Sequence, residues 1–385
     1  MRLVPIRPRH QHCLRGGVPI ARLLLLITLL AHSLAYAQAP DELLNAGFAA
    51  LQAGDAAKAA TAFRRALAAD PKDPAALYGA AAAAHLQGRD SEAVSLLKQS
   101  LQIEPRLTQA SALLGDIVYH QGDLNLAIKT YEAALAHSPS SVFLRERLAS
   151  WRSEATVHNG LEALKDDRFT IQFSGPANEK LAARATSVLR NQFWRIGRTL
   201  GTYPSNPINV LLYTDKQFRD ITGAPEWAGA GFDGQIRMPV AGATQNLQEF
   251  DRILTHELTH AMLASIATRN VPAWLNEGLA MQFEGNDAAA SERRLAAARA
   301  YVPLAYLQGG YSGLSAQQAD LAYEVSAFAT SALLTRIGIG NLQFLLQDLD
   351  SGQTLETAVQ RFGFTFAEFE AGLAKRVGAR LKTSP

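Results

Sequence analysis

The sequence predicts an all-α repeat module followed by a compact α+β domain, in a chain of 385 residues. Three observations carry that expectation. The first third of the chain repeats itself with a period of 34 residues. Beyond it, two strand-like runs flank a long helical stretch, and past Gln245 the pattern is almost wholly helical. Within that last region a largely apolar helix carries "HELTH" at residues 256–260.

Residues 1–37 read as a secretory signal peptide. Arg2, Arg7, Arg9, Arg15 and Arg22 lie in a stretch without acids. The apolar run "LLLLITLLAHSLAYA" follows, and Ala35-Tyr36-Ala37 supplies a small-x-small cleavage pattern, with the cut expected after Ala37. The alternative is an uncleaved anchor, but the apolar core is short for crossing a bilayer, so no stable membrane insertion is expected. Removing the leader takes five of the 37 basic residues and no acid. It leaves 32 basic against 35 acidic side chains, a net charge of −3. The mildly basic isoelectric point is thus a targeting feature, and nucleic-acid binding is excluded on charge. Cys13, the single cysteine, leaves too. It lies upstream of the apolar run, so it is not a lipid-bearing cysteine. The remaining chain needs neither disulfides nor a thiol nucleophile, which fits a periplasmic or otherwise exported protein.

Residues 38–156 form the repeat region. Gly54, Gly88 and Gly122 share one column of the 34-residue period, as do Ala59, Ala93 and Ala127. Phe63, Leu97 and Tyr131 share another, Gly47, Ala81 and Gly115 an earlier one, and Pro71, Pro105 and Pro139 close each unit. Small residues let paired helices approach, a large apolar residue fills the gap between repeats, and proline ends the second helix. Period and columns together resemble the tetratricopeptide repeat, which implies three helix–turn–helix units and, through "SVFLRERLASWRSEA", a capping helix. Such a superhelix is either a docking surface for a protein segment or a spacing module without a partner. His85, His120 and His137 share no column and bring no acids at ligand spacing, so they are read as ordinary helix residues.

In the second domain, residues 165–380, "RFTIQFSG" and "INVLLYTD" read as strands around a helix through "ANEKLAARATSVLRNQFWRIGRTL". A glycine-rich turn leads to a third strand beginning near Phe232. This segment, "GFDGQIRMPV", either accepts an extended substrate by strand addition or forms an ordinary hairpin.

The helical part holds the chemistry. His256 and His260 are four apart and so lie on one helix face, where their ring nitrogens can meet one ion. Glu257 lies one position round, able to reach a water on that ion without being a ligand. A buried helix bearing His, Glu and His is costly unless something binds them. Catalytic zinc takes three protein ligands and keeps one open position. No histidine follows His260, and His158 lies in the linker, so the third ligand must be a carboxylate. "VPAWLNEGLAMQFEG" reads as a short helix from Pro272 to Gly285, with Glu277 amid Trp274, Leu275 and Leu279. Glu284, two turns on, is the alternative.

HExxH followed by "WLNEGLA" resembles the gluzincin metallopeptidases, in particular peptidase MA-like domains. The likeness continues through "YVPLAYLQGGYSGL", "LAYEVSAFATSALLTRIG" and "SGQTLETAVQRFGFTFAEFEAGL". It implies a mixed sheet over the metal helix with an edge strand near the cleft. It also implies one Zn2+ per chain on His256, His260 and Glu277, Glu257 as general base, and a peptide or protein substrate. Tyr323, in "LAYEVS", is the expected oxyanion donor, with Tyr301, Tyr306 and Tyr311 as weaker candidates. Asn276 and Glu324 are candidate partners for the ligand histidines. Sixteen residues separate His260 from Glu277, fewer than in the best-known gluzincins, so a short loop must return the second helix. The competing function is a non-enzymatic repeat scaffold with an inactive peptidase-like domain.

Overall fold

The structure is a computed structural model that describes residues 40–223, 230–267, 271–311 and 313–378. The expected leader, 1–37, lies outside the described residues. Among those residues no helix is long and apolar enough to cross a membrane.

Three helical hairpins open the chain: α1 (Pro40–Gln52) with α2 (Ala56–Ala69), α3 (Pro74–Leu86) with α4 (Asp90–Ile103), and α5 (Thr108–His120) with α6 (Leu124–His137). A solitary α7 (Val142–His158) caps them. The repeat columns explain themselves in three dimensions. Gly54, Gly88 and Gly122 sit at the inter-helix turns with φ of +74°, +74° and +84°, a region that costs most side chains. Phe63 fills the space that Gly47 and Gly79 leave: a Cβ on either would lie within 2.6 Å of its ring. Tyr131 does the same against Gly115, and the buried Trp151 of α7 closes the stack, 4.5 Å from Tyr131 and 5.0 Å from Tyr119 between ring centroids.

The sheet begins at β1 (Glu162–Lys165) and continues through β2 (Phe169–Phe173), β3 (Ile208–Tyr213), β4 (Gly231–Phe232) and β5 (Ile236–Pro239). Its order is β1-β2-β3-β5-β4. The central strands β2, β3 and β5 are parallel, and both outer strands run antiparallel to their neighbours, so the sheet is mixed. The crossover from β2 to β3 is α8 (Glu179–Leu200), which buries Leu181, Ala185, Leu189, Phe193, Ile196 and Leu200 along one stripe at helical spacing. One detail differs from the sequence expectation: β1 has no signal in the sequence, because "EALK" is mostly exposed and has no buried face to alternate. The segment after Ala230 is a hairpin, β4 and β5 joined at Asp233–Gln235, which is one of the two forms its glycines allow.

A short α9 (Asp215–Thr222) follows β3. The rest of the domain is helical: α10 (Leu247–Ala264), α11 (Ala273–Glu284), α12 (Ala288–Ala298), α13 (Ala316–Ile337), α14 (Leu342–Asp350), α15 (Leu355–Ala358) and α16 (Phe366–Arg376). One continuous core joins the sheet, α8, α10, α11 and α13.

The repeats and the sheet meet at a desolvated polar cluster. Arg237 of β5 and Glu154 of α7 are each 2% exposed and lie 2.6 Å apart. His158, at the end of α7, is 2.6 Å from the Tyr213 hydroxyl and 3.5 Å from Glu154. Burial pushes the His158 imidazole below its ordinary value; Glu154 opposes this, and Arg237 reinforces it. Such a group leaves stability untouched above the unfolded-state value of about 6.5. As pH falls through that value the unfolded chain takes up a proton first, so stability drops until the lower folded value is passed. His158→Gln is therefore expected to flatten the decline of the melting temperature between pH 7 and pH 5. Parallel curves for the two proteins would show that His158 does not titrate this interface.

Candidate metal centre

Helix α10 forms where it does because Asn246 accepts the Glu249 backbone N–H at its start, while Leu254, Leu258 and Met262 bury one side. His256 and His260 therefore emerge together on the adjoining face, with ring centroids 4.8 Å apart. Helix α11 packs on α10 and brings Glu277 to them. On its other side α11 can lie close to α13 because Gly278 carries no side chain: a Cβ there would stand 2.0 Å from the Thr330 Oγ1 and 2.4 Å from the Ser326 carbonyl oxygen.

The Glu277 Oε2 lies 3.3 Å from the His256 Nε2 and 3.6 Å from the His260 Nε2. One donor atom from each of the three lies within 4.8 Å of the others. Donors held at about 2.0–2.1 Å around a tetrahedral cation are necessarily roughly 3.3 Å apart. Two imidazoles and a carboxylate at these separations fit a zinc-type ion.

Each histidine is steadied from behind. The His256 Nδ1 lies 2.9 Å from the Glu284 Oε2, and the other Glu284 oxygen accepts from the Arg252 guanidinium at 2.6 Å. The His260 Nδ1 is 3.2 Å from the Asn276 Oδ1. Thus Glu284, the alternative ligand of the sequence reading, sits on the far nitrogen of His256. Asn276 falls where a supporting partner should. Glu324 does not: its carboxylate pairs with Arg294, at 2.9 Å from the Nε, away from both rings.

Glu257 is 6% exposed, and its Oε2 has no hydrogen-bond partner among the described residues. Burial pushes its carboxyl above the ordinary range; the His260 and His256 charges oppose this without cancelling it. Burial would lower the His256 imidazole, yet its hydrogen bonds to Glu277 and Glu284 and the Glu257 charge reverse this and lift it to about 10. Glu277 is the counterpart: burial would raise it, but the two histidines hold it well below the usual carboxylate range.

These groups line a cleft of about 430 Å³, with Tyr323, Phe232 and Gly231 on its other walls. Tyr323 packs edge-on against Tyr311, whose own hydroxyl is engaged 2.7 Å from the Ser326 Oγ. Burial, aided by the Glu277 and Glu257 charges, pushes the Tyr323 hydroxyl well up, so it keeps its proton. Tyr306 is 79% exposed, and neither it, Tyr301 nor Tyr311 is among the described residues lining the cleft.

Comparison with known proteins agrees with this architecture. Residues 189–380 match the Peptidase MA superfamily, and residues 50–117 match the tetratricopeptide repeat. The chain is also similar to a small glutamine-rich tetratricopeptide repeat-containing protein 2 of Mycosarcoma maydis, 26% identical over 123 residues, which is 32% of this chain and 35% of that protein. The chain thus spans about a third of that relative's length. With a helical-repeat module before it and the His-His-Glu cleft within it, residues 189–380 form a Peptidase MA superfamily domain.

Proposed function

We propose that the protein is an exported zinc-dependent peptidase, with one Zn2+ per chain on His256, His260 and Glu277 and with Glu257 as general base. The observation that carries this reading is the convergence of those three donors beside a buried carboxylate whose Oε2 has no partner among the described residues. When bound, the ion supplies a Lewis acid for the peptide carbonyl and brings the pKa of a coordinated water toward neutrality. Glu257 accepts a proton from the attacking water, whose oxygen bonds to the carbonyl carbon. As the carbon–nitrogen bond breaks, Glu257 returns that proton to the leaving amine. Tyr323 donates its hydroxyl hydrogen toward the carbonyl oxygen as negative charge develops there. Glu284 and Asn276 fix the two imidazoles through their Nδ1 atoms and so aim both Nε2 atoms into the cleft.

The substrate is a peptide or an extended protein segment laid beside β4, whose outer edge pairs with no strand among the described residues. The repeats offer a surface for a protein partner or for the substrate's remoter parts. Residues 1–37 support delivery to the periplasm or another exported location, with cleavage after Ala37.

Metal analysis of the purified protein is expected to give about one zinc per chain. Digestion of a peptide library should then stop on chelation and resume on adding zinc. A zinc-loaded protein that cleaves no member of the library would favour the inactive scaffold.

A further inference from the structure

The cleft's substrate side is tied to the repeat module by a single buried guanidinium. Arg237 of β5 uses its whole fork. Its Nε donates to the Asp233 Oδ2 at 2.9 Å, its Nη1 to the Glu154 Oε1 at 2.6 Å and the Tyr213 hydroxyl at 2.9 Å, and its Nη2 to the Tyr119 hydroxyl at 3.1 Å. Tyr119 in turn donates to the Glu154 Oε2 at 2.8 Å. Tyr119 and Glu154 belong to α5 and α7 of the repeats; Arg237 and Tyr213 belong to the sheet, and Asp233 to the turn between β4 and β5.

A second contact acts on the same hairpin without using charge. Gly234, in the turn between β4 and β5, has φ +103°, and a Cβ there would stand 1.8 Å from the His120 carbonyl oxygen at the end of α5. Turn backbone thus rests directly on repeat backbone. On the other side of the hairpin, the cross-strand partner of Arg237 is Gly231, which lines the cleft with Phe232. A two-residue edge strand holds little position of its own. Phe232 packs on the domain core beside α10, and what grips β5 and the turn supplies the rest of the strand's placement.

We propose that the repeat module braces the peptide-binding edge of the cleft: Tyr119 and Glu154 grip Arg237, Gly234 seats on α5, and together they set where β4 meets an extended peptide. Arg237 is accordingly a positioning residue, acting through β4. This inference rests on the peptidase reading for the nature of the ligand, and on the hairpin contacts alone for the brace. It gives the repeats a role in the cleft that is independent of any partner they bind.

The test uses the full chain loaded with zinc. Arg237→Met alone strands Glu154 as a buried unpaired charge, so the informative variant pairs Arg237→Met with Glu154→Leu, removing both charges together. Amide exchange across residues 231–239 is expected to quicken at least tenfold in the pair, while exchange across α10 and zinc content stay as in the wild type. Affinity for a hydroxamate-capped leucyl dipeptide should fall at least fivefold. Acetohydroxamate, which has no peptide to lay on β4, should bind unchanged. Tyr119→Phe, which removes only the hydroxyl bonds, should move exchange and peptide affinity in the same direction by less. Unchanged exchange at 231–239, or unchanged peptide-hydroxamate affinity in the face of faster exchange, overturns the proposal. Should the wild type bind neither hydroxamate, the peptidase reading fails separately, and exchange still decides whether the repeats hold the hairpin.

Discussion

Glu257→Gln is expected to keep its zinc and its melting temperature while losing turnover by about 10²–10⁴-fold, the usual contribution of a positioned proton acceptor. The amide has nearly the shape of the carboxylate, so the packing around a side chain only 6% exposed is preserved. What changes is the capacity to take a proton. The loss should fall on kcat, because Glu257 acts when the attacking water gives up its proton and makes no claim on substrate affinity. Among the described residues the Glu257 Oε2 has no hydrogen-bond partner to lose, so the substitution breaks no bond at that oxygen. Burial also raises this carboxyl, so that proton acceptance becomes incomplete as the solution is acidified and turnover should decline on the acid side. Full activity in the glutamine variant would remove Glu257 from the mechanism. Loss of zinc would instead mark it as a ligand.

Much of this was legible in the sequence because it rests on local rules. The repeat glycines share a column since each turn needs a positive φ, and that need recurs every repeat. His256 and His260 could be paired from helical spacing alone. Glu277 was readable as an isolated acid in an apolar helix. What stayed hidden depends on contacts between distant segments. Glu284 looks like a second ligand in one dimension; only the packing of α11 on α10 places it on the far side of the His256 ring. Glu324 looked like a neighbour of the site, but Arg294 of α12 turns it away. The strand pattern "QIRMPV" gives Arg237 no sign of burial, since an arginine in a strand ordinarily faces water. Its burial is set by Glu154, 83 residues earlier, which nothing in the strand announces.

Glu277→Ala and Glu284→Ala are expected to separate a ligand from its support. Both carboxylates touch His256, at 3.3 Å on the Nε2 and 2.9 Å on the Nδ1 respectively. Only Glu277 also reaches His260, at 3.6 Å, so its loss leaves two donors where three stood. Two imidazoles alone hold the ion poorly, and zinc affinity at pH 7 should fall by well over the roughly 10–100-fold that removing a supporting partner costs. Glu284→Ala should stay within that range, because both imidazoles and Glu277 remain. Its effect comes from freeing the His256 ring to turn and from lowering its basicity. Arg252 keeps its bonds to Glu249, at 2.6 Å and 2.8 Å, so the second variant does not strand a cation. Competition against a fluorescent zinc chelator gives both affinities, and circular dichroism shows that each variant is folded. If the order is reversed, with Glu284→Ala losing the ion and Glu277→Ala keeping it, the third ligand is Glu284 and the cleft must rearrange on binding. Comparable losses in the two would mean that neither oxygen is bonded to the ion more directly than the other, and the three-donor site would have to be redrawn around both carboxylates.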